Sequence, residues 1–154
     1  MINTKRMIAY DEGKRLKVYR CTEGFKTVGI GCNLDANPHM SILKRTLKVG
    51  DYITEKECDL LFAFDYSNVI NSINQRMHYF SDLLPNYQVV LINMVYQMGI
   101  RGVLKFPSML KAMQAKDTAK IIEEMKDSVW YHQTPERAWR LISIITGTIP
   151  KEYL

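Results

Sequence analysis

Cysteine is scarce: Cys21, Cys32 and Cys58 are the only three in 154 residues. An odd number, with no CxxC pair and no histidine beside them, argues against both a disulfide framework and a zinc site. At least one thiol is expected to be free. His39, His78 and His132 form no ligand spacing either, so no metal and no cofactor is expected. No apolar run approaches the ~18 residues of a membrane span, and the opening MINTKRMIAYDEGKR lacks the apolar stretch of a secretory signal. The expectation is a chain made in the cytosol, without stable membrane insertion. No internal repeat or low-complexity tract is visible. Proline and glycine are few, at 5 and 8, yet four of the glycines fall between Gly13 and Gly31.

What the chain does have is apolar content, 47%, sufficient for one compact unit or two small lobes sharing a helix. The charge of +5 and pI near 9.1 favour acidic partners: nucleic acid, an anionic membrane surface or an anionic wall polymer. Charge alone does not choose among these, and a solvated basic surface is the commonest cause of so modest an excess.

Periodicity divides the chain. Residues 3–12 suit a short helix with Met7, Ile8 and Tyr10 available for burial and Gly13 to end it. RLKVYRC and TVGIG alternate polar and apolar residues around TEGFK, which predicts an antiparallel hairpin. With the turn near Gly24, Cys21 is expected opposite Thr27, thiol and hydroxyl on one face. Thr54 and Glu57 form a capping box opening a helix from 55 to the mid-seventies, with Leu60, Leu61, Phe64, Ile70 and Ile73 at helical spacing. PNYQVVLINMVYQMG is apolar nearly all round, as a central bundle helix would be, and Gly99 marks its end. Asp117 suits the cap of TAKIIEEMKDSVW, and Thr134 with Pro135 that of ERAWRLISII. The expected fold class is α+β, mostly α. A single domain, 1–154, would hold an α+β lobe (1–54), a connecting helix (55–75) and an all-α lobe (76–154).

A carboxylic acid at a helix end beside a hairpin, within reach of a second polar group, is a layout that glycosidic cleavage needs. One group protonates the leaving oxygen while another supplies or orients the nucleophile. Spacing alone makes Glu12 a weak candidate, because most helix-end glutamates are solvated and a lone strand cysteine usually packs.

DEGKRLKVYRCTEGFKTVGIG, however, resembles the N-terminal catalytic segment of the phage T4-type lysozymes, glycoside hydrolase family 24. That family's pattern is Glu, eight residues, Asp or sometimes Cys, five residues, Thr; Glu12, Cys21 and Thr27 match both spacings. ITEKECDLLF, INMVYQMG and WYHQTPERAWR continue the resemblance in the same order, so it covers nearly the whole chain. It implies a lysozyme-like two-lobed fold and peptidoglycan as substrate. Glu12 would be the general acid cleaving the bond between N-acetylmuramic acid and N-acetylglucosamine, Thr27 would hold the attacking water, and Arg137 would pair with the glutamate.

Cys21 departs from the aspartate of the most familiar members. A thiol, ordinarily neutral near pH 7 with a pKa of about 8.5, could act as base for water, as a water-orienting group or as a nucleophile. Assistance to water is favoured, because Thr27 implies a bound water and the family chiefly inverts configuration. Glu23 in the turn is a possible substitute carboxylate. Cys32 stands where relatives commonly place histidine, so an ion pair found in them is expected to be absent. Gly31, Asn33, Tyr96, Gln97, Tyr131 and Gln133 would line the sugar groove, while Trp130 is expected to be buried.

The leading expectation is therefore a phage endolysin, a monomer without nucleic-acid partners. It would wait in the host cytoplasm until a separate membrane-permeabilising protein, a holin, gives it access to periplasm and wall. Competing classes are a lytic transglycosylase leaving anhydro ends, and a non-enzymatic basic wall- or membrane-binding protein whose C-terminal RAWRLISII disrupts bilayers.

Overall fold

A computed structural model describes residues 2–154. The chain divides into two compact units: Ile8–Asn68, and Val69–Leu154 together with the N-terminal residues through Met7. Helices α1 (Thr4–Glu12) and α3 (Glu55–Arg76) each contribute residues to both. No single helix of the described residues is long and apolar enough to cross a membrane.

The smaller unit is built on a three-stranded antiparallel sheet in the order β1 (Arg15–Arg20), β2 (Lys26–Gly29), β3 (Cys32–Asn33). Helix α1 ends at Glu12, and the Gly13 amide returns to the Ala9 carbonyl at 2.9 Å. Met7 and Ile8 are fully buried as expected, but Tyr10 remains 52% exposed.

The hairpin register differs from expectation. Thr27 pairs with Tyr19 and Lys26 with Arg20, while the Cys21 amide reaches the Phe25 carbonyl at 2.9 Å. The cause is a three-residue loop, Thr22 to Gly24, closed by the Gly24 amide on the Cys21 carbonyl at 2.9 Å. Gly24 takes φ +87°, the left-handed position such loops require. Cys21 is therefore diagonal to Thr27, two residues from the pairing that a turn centred on Gly24 implied. Beyond Tyr19 the register shifts, and β1 bonds on its other side to the 50–53 segment: Val18 to Asp51 and Ile53 to Leu16, both at 2.8 Å.

The remaining small helix of this unit is α2 (His39–Leu43). Helix α3 opens on the capping box foreseen, with the Thr54 amide on Glu57 Oε1 at 2.9 Å and the Glu57 amide on Thr54 Oγ1 at 3.1 Å. Arg45 adds a two-pronged contact to Glu57 at 3.0 and 2.9 Å and holds that carboxyl below its ordinary range. The buried positions of α3 are Cys58, Leu61, Phe62, Val69 and Ile73, whereas Leu60 is 44% exposed. Asp65 sits in that same stripe, three and four residues from Phe62 and Leu61 on one side and four from Val69 on the other.

In the larger unit α4 (Pro85–Val103) is central, with Tyr87 and every residue from Val90 to Val95 buried. Each fully buried apolar side chain among them contributes about 1.5–3 kcal/mol by leaving water, whereas Asn93, also buried, must be met by hydrogen bonds. The backbone leaves the helical region at Gly99, φ 76° and ψ 165°, and one further turn follows. Around it lie α5 (Pro107–Gln114), α6 (Thr118–Lys126), α7 (Val129–Gln133) and α8 (Pro135–Ile145). Asp117 caps α6 as expected, accepting the Lys120 amide at 3.1 Å. That helix stops at Lys126 instead of continuing through Trp130, because Ser128 starts a new one by accepting the Tyr131 amide. Thr134 makes no side-chain cap to α8; its hydroxyl donates backward to the Trp130 carbonyl at 3.1 Å. The carbonyls of Ile144 and Ile145 that end α8 are met by Asn86 Nδ2 at 3.0 and 3.1 Å.

Candidate active site

Glu12, Cys21, Thr27, Gly31 and Asn33 all belong to the smaller unit. The end of α1 presents Glu12, which is partly buried. Its carboxylate lies against the backbone of the turn joining β2 to β3: a Cβ built on Gly31 would come 2.9 Å from Glu12 Oε2 and 3.2 Å from Glu12 Cβ. Gly31 also takes φ +64°, so both space and conformation require glycine there.

Thr27 on β2 is 6% exposed. Its hydroxyl donates to the Phe25 carbonyl at 3.0 Å and stands within hydrogen-bonding reach of the Cys21 sulfur. Desolvation acts to raise the Cys21 thiol, but the backbone at Glu23 and Phe25 and the Thr27 hydroxyl outweigh it, leaving the group below its ordinary value. The hairpin thus supplies a hydroxyl and a thiol inclined toward thiolate, both groups with the chemistry to hydrogen-bond a water. Glu23, the candidate substitute carboxylate, is exposed on the loop.

Cys32 is buried beneath the same sheet, on β3. Its thiol is pushed far up by burial and by hydrogen bonding to Asp65. Burial in turn raises the Asp65 carboxyl, against hydrogen bonds from Asn37 Nδ2 at 2.6 Å and from the Cys32 thiol that favour the carboxylate. A neutral thiol therefore occupies the position expected to lack the relatives' ion pair, and it is matched to a half-buried carboxyl. The sequence reading missed Asp65; its trace is an acid within the apolar stripe of α3. Asn33 is engaged locally, its Oδ1 accepting the amides of Asp35 at 2.9 Å and Ala36 at 3.3 Å.

The other predicted site residues belong to the larger unit. Gln97 Oε1 accepts the indole N–H of Trp130 at 2.8 Å, and Trp130 is buried as expected. Tyr96 and Tyr131 are partly exposed, Tyr131 packing edge-on against Trp139, and Gln133 is exposed. Arg137 is 7% exposed and donates through Nε to Asn93 Oδ1 at 2.9 Å and through a terminal nitrogen to the Asn93 carbonyl at 3.4 Å. A cavity of about 560 Å³ is lined in part by Met98, Lys105, Glu124, Trp130 and Gln133. Among the described residues no three of histidine, cysteine, aspartate and glutamate gather in a way that could hold a metal ion.

A helix-end carboxyl beside a hairpin carrying polar groups for water has the parts of a glycoside hydrolase of the lysozyme type. Comparison with known proteins agrees. A family model described as phage lysozyme matches residues 9–140. Two Dictyostelium discoideum proteins named probable T4-type lysozyme 1 and 2 are 38% and 39% identical to the chain, covering 94% and 97% of it and 95% and 96% of themselves. The pre-baseplate central spike protein Gp5 of Enterobacteria phage T4 is 38% identical over 93% of this chain, a match that takes in 28% of the spike protein. The chain belongs to the phage lysozyme family.

Proposed function

We propose that this protein is an N-acetylmuramidase that hydrolyses the β-1,4 bond between N-acetylmuramic acid and N-acetylglucosamine in peptidoglycan, with inversion at the anomeric carbon. Glu12 protonates the leaving glycosidic oxygen. Thr27 and Cys21 hold the attacking water on the opposite face of the sugar, and the proton that water loses passes to the thiolate or to solvent. The observation that supports this reading is the grouping of a buried Thr27 hydroxyl with the Cys21 sulfur on the hairpin that follows Glu12. Retention of a hydroxyl there favours delivery of water over attack by the sugar's own hydroxyl.

The biological role that fits is an endolysin: a basic monomeric enzyme, held in the host cytoplasm until a holin opens the membrane, then degrading the wall. Digestion of purified peptidoglycan followed by mass spectrometry of the fragments tests the chemistry. Reducing N-acetylmuramic acid ends are expected, and anhydro ends would make the enzyme a transglycosylase. Glu12→Gln should lower turnover by about 10²–10⁴-fold, the range that one general acid supplies, with an unaltered melting temperature. An unchanged rate would remove Glu12 from the role. Expression in a bacterium with and without a holin tests the route: lysis only with the holin is expected.

A further inference from the structure

Outside the site just described, the smaller unit carries a groove of about 830 Å³ that contains no acidic lining residue. It lies along β1 and the 49–52 segment bonded to that strand, and its walls include Arg15, Lys17, Tyr19, Arg20, Val49 and Tyr52, with the less exposed Leu16 and Val18 completing an apolar lining. A six-residue strand gives it a length of about 17 Å, the reach of a chain and not of a single ion. The three cations make no ion pair among the described residues. Arg15 lies over the Tyr19 ring at 4.2 Å, Lys17 over the Tyr52 ring at 5.6 Å, and Arg20 donates to the Gly24 carbonyl at 2.9 Å. Tyr52 is 66% exposed and Val49 50%. The nearest acid in sequence, Asp51, is partly occupied in accepting the Lys48 amide at 2.8 Å.

The exposed Tyr52 ring and the apolar lining suit the flat, carbon-rich faces of pyranose rings, and cations without an acidic partner suit carboxylates spaced along a polymer. We infer that this groove is a second, non-catalytic binding site for a glycan chain bearing free carboxylates, which holds the enzyme on the wall while the Glu12 site works. The occupant is the wall polymer itself: a peptidoglycan strand offers sugar rings and, on its peptide side chains, free carboxylates. A bilayer is the poorer match, since a concave channel keeps the apolar lining from a flat surface. This inference rests on the peptidoglycan reading proposed above.

The test uses the full chain carrying Glu12→Gln, so that binding is read without digestion, with and without Arg15→Ala, Lys17→Ala and Tyr52→Ala together. Co-sedimentation with purified peptidoglycan sacculi is expected to weaken at least fivefold in the triple variant, and rising salt should erode the difference. In the Glu12 background the same three changes should leave cleavage of a soluble peptidoglycan fragment within twofold of the parent, while slowing clearance of intact sacculi. Undiminished sedimentation overturns the inference, as does equal retention on a neutral chito-oligosaccharide resin, or loss of binding only to phosphatidylglycerol vesicles. If the triple variant fails to fold, Lys17→Glu alone carries the test, with at least a threefold weakening expected and none overturning the inference. Failure of the Glu12 enzyme to cleave the soluble fragment would strike the catalytic reading instead, because sedimentation is scored separately.

Discussion

At the scale of single residues, the three thiols differ by environment. Cys21 is partly exposed and inclined to ionise, whereas Cys32 and Cys58 are buried. Iodoacetamide on the native protein should therefore modify Cys21 alone, at a rate rising with pH to a midpoint below that of an unperturbed thiol; mass mapping of the labelled peptides checks this. Asp65 carries a second expectation. Its folded-state pKa lies above the ordinary 3.8, so the fold holds that proton more tightly than the unfolded chain does. The corresponding stability is present at low pH and is lost as pH rises through the folded value. Asp65→Asn should remove this loss, so that its denaturant midpoint relative to the parent improves between pH 4 and 7. A constant difference across that range would show that Asp65 does not titrate as described. Glu12, Cys21 and Thr27 stood out in the sequence as candidates because their spacing repeats a family pattern. Asp65 did not, since an acid in an apolar stripe declares only that something must meet it.

At the scale of elements, the turn between β2 and β3 lies against the carboxylate proposed as the general acid. Gly31→Ala places a methyl group 2.9 Å from the Glu12 carboxylate and forces an alanine to φ +64°. The backbone cost is about 1–2 kcal/mol, and the displaced carboxylate should lower kcat by more than the loss of folded protein explains. Activity measured well below the melting temperature separates the two effects. The elements themselves were largely legible: the capping box of α3, the Asp117 cap and the helix-ending Gly13 are all local features. Their failures were local as well. The hairpin register turned on whether Cys21 and Phe25 closed a three-residue loop, and the predicted run to Trp130 broke because Ser128 bonds an amide three residues ahead. Either alternative satisfied the same hydrophobic pattern.

For the whole molecule, the net charge of +5 acts over distances beyond any one contact. Raising ionic strength from about 50 to 300 mM shortens the screening length toward 6 Å or less, and should lower kcat/KM on anionic sacculi while leaving the rate on a small neutral oligosaccharide nearly unchanged. Equal sensitivity of both substrates would show that charge assists the chemical step and not the encounter.

The sequence by itself determined the α+β class, most of the helices, and which residues match the family's catalytic pattern, because those depend on periods and spacings within short windows. Tertiary structure decided which polar groups answer one another. Gln97 holds the indole of Trp130 across 33 residues, Arg137 meets Asn93 across 44, and Cys32 finds Asp65. Such pairs leave no periodic trace, since each partner is placed by the packing of its own helix or strand and becomes a neighbour only when the chain has folded.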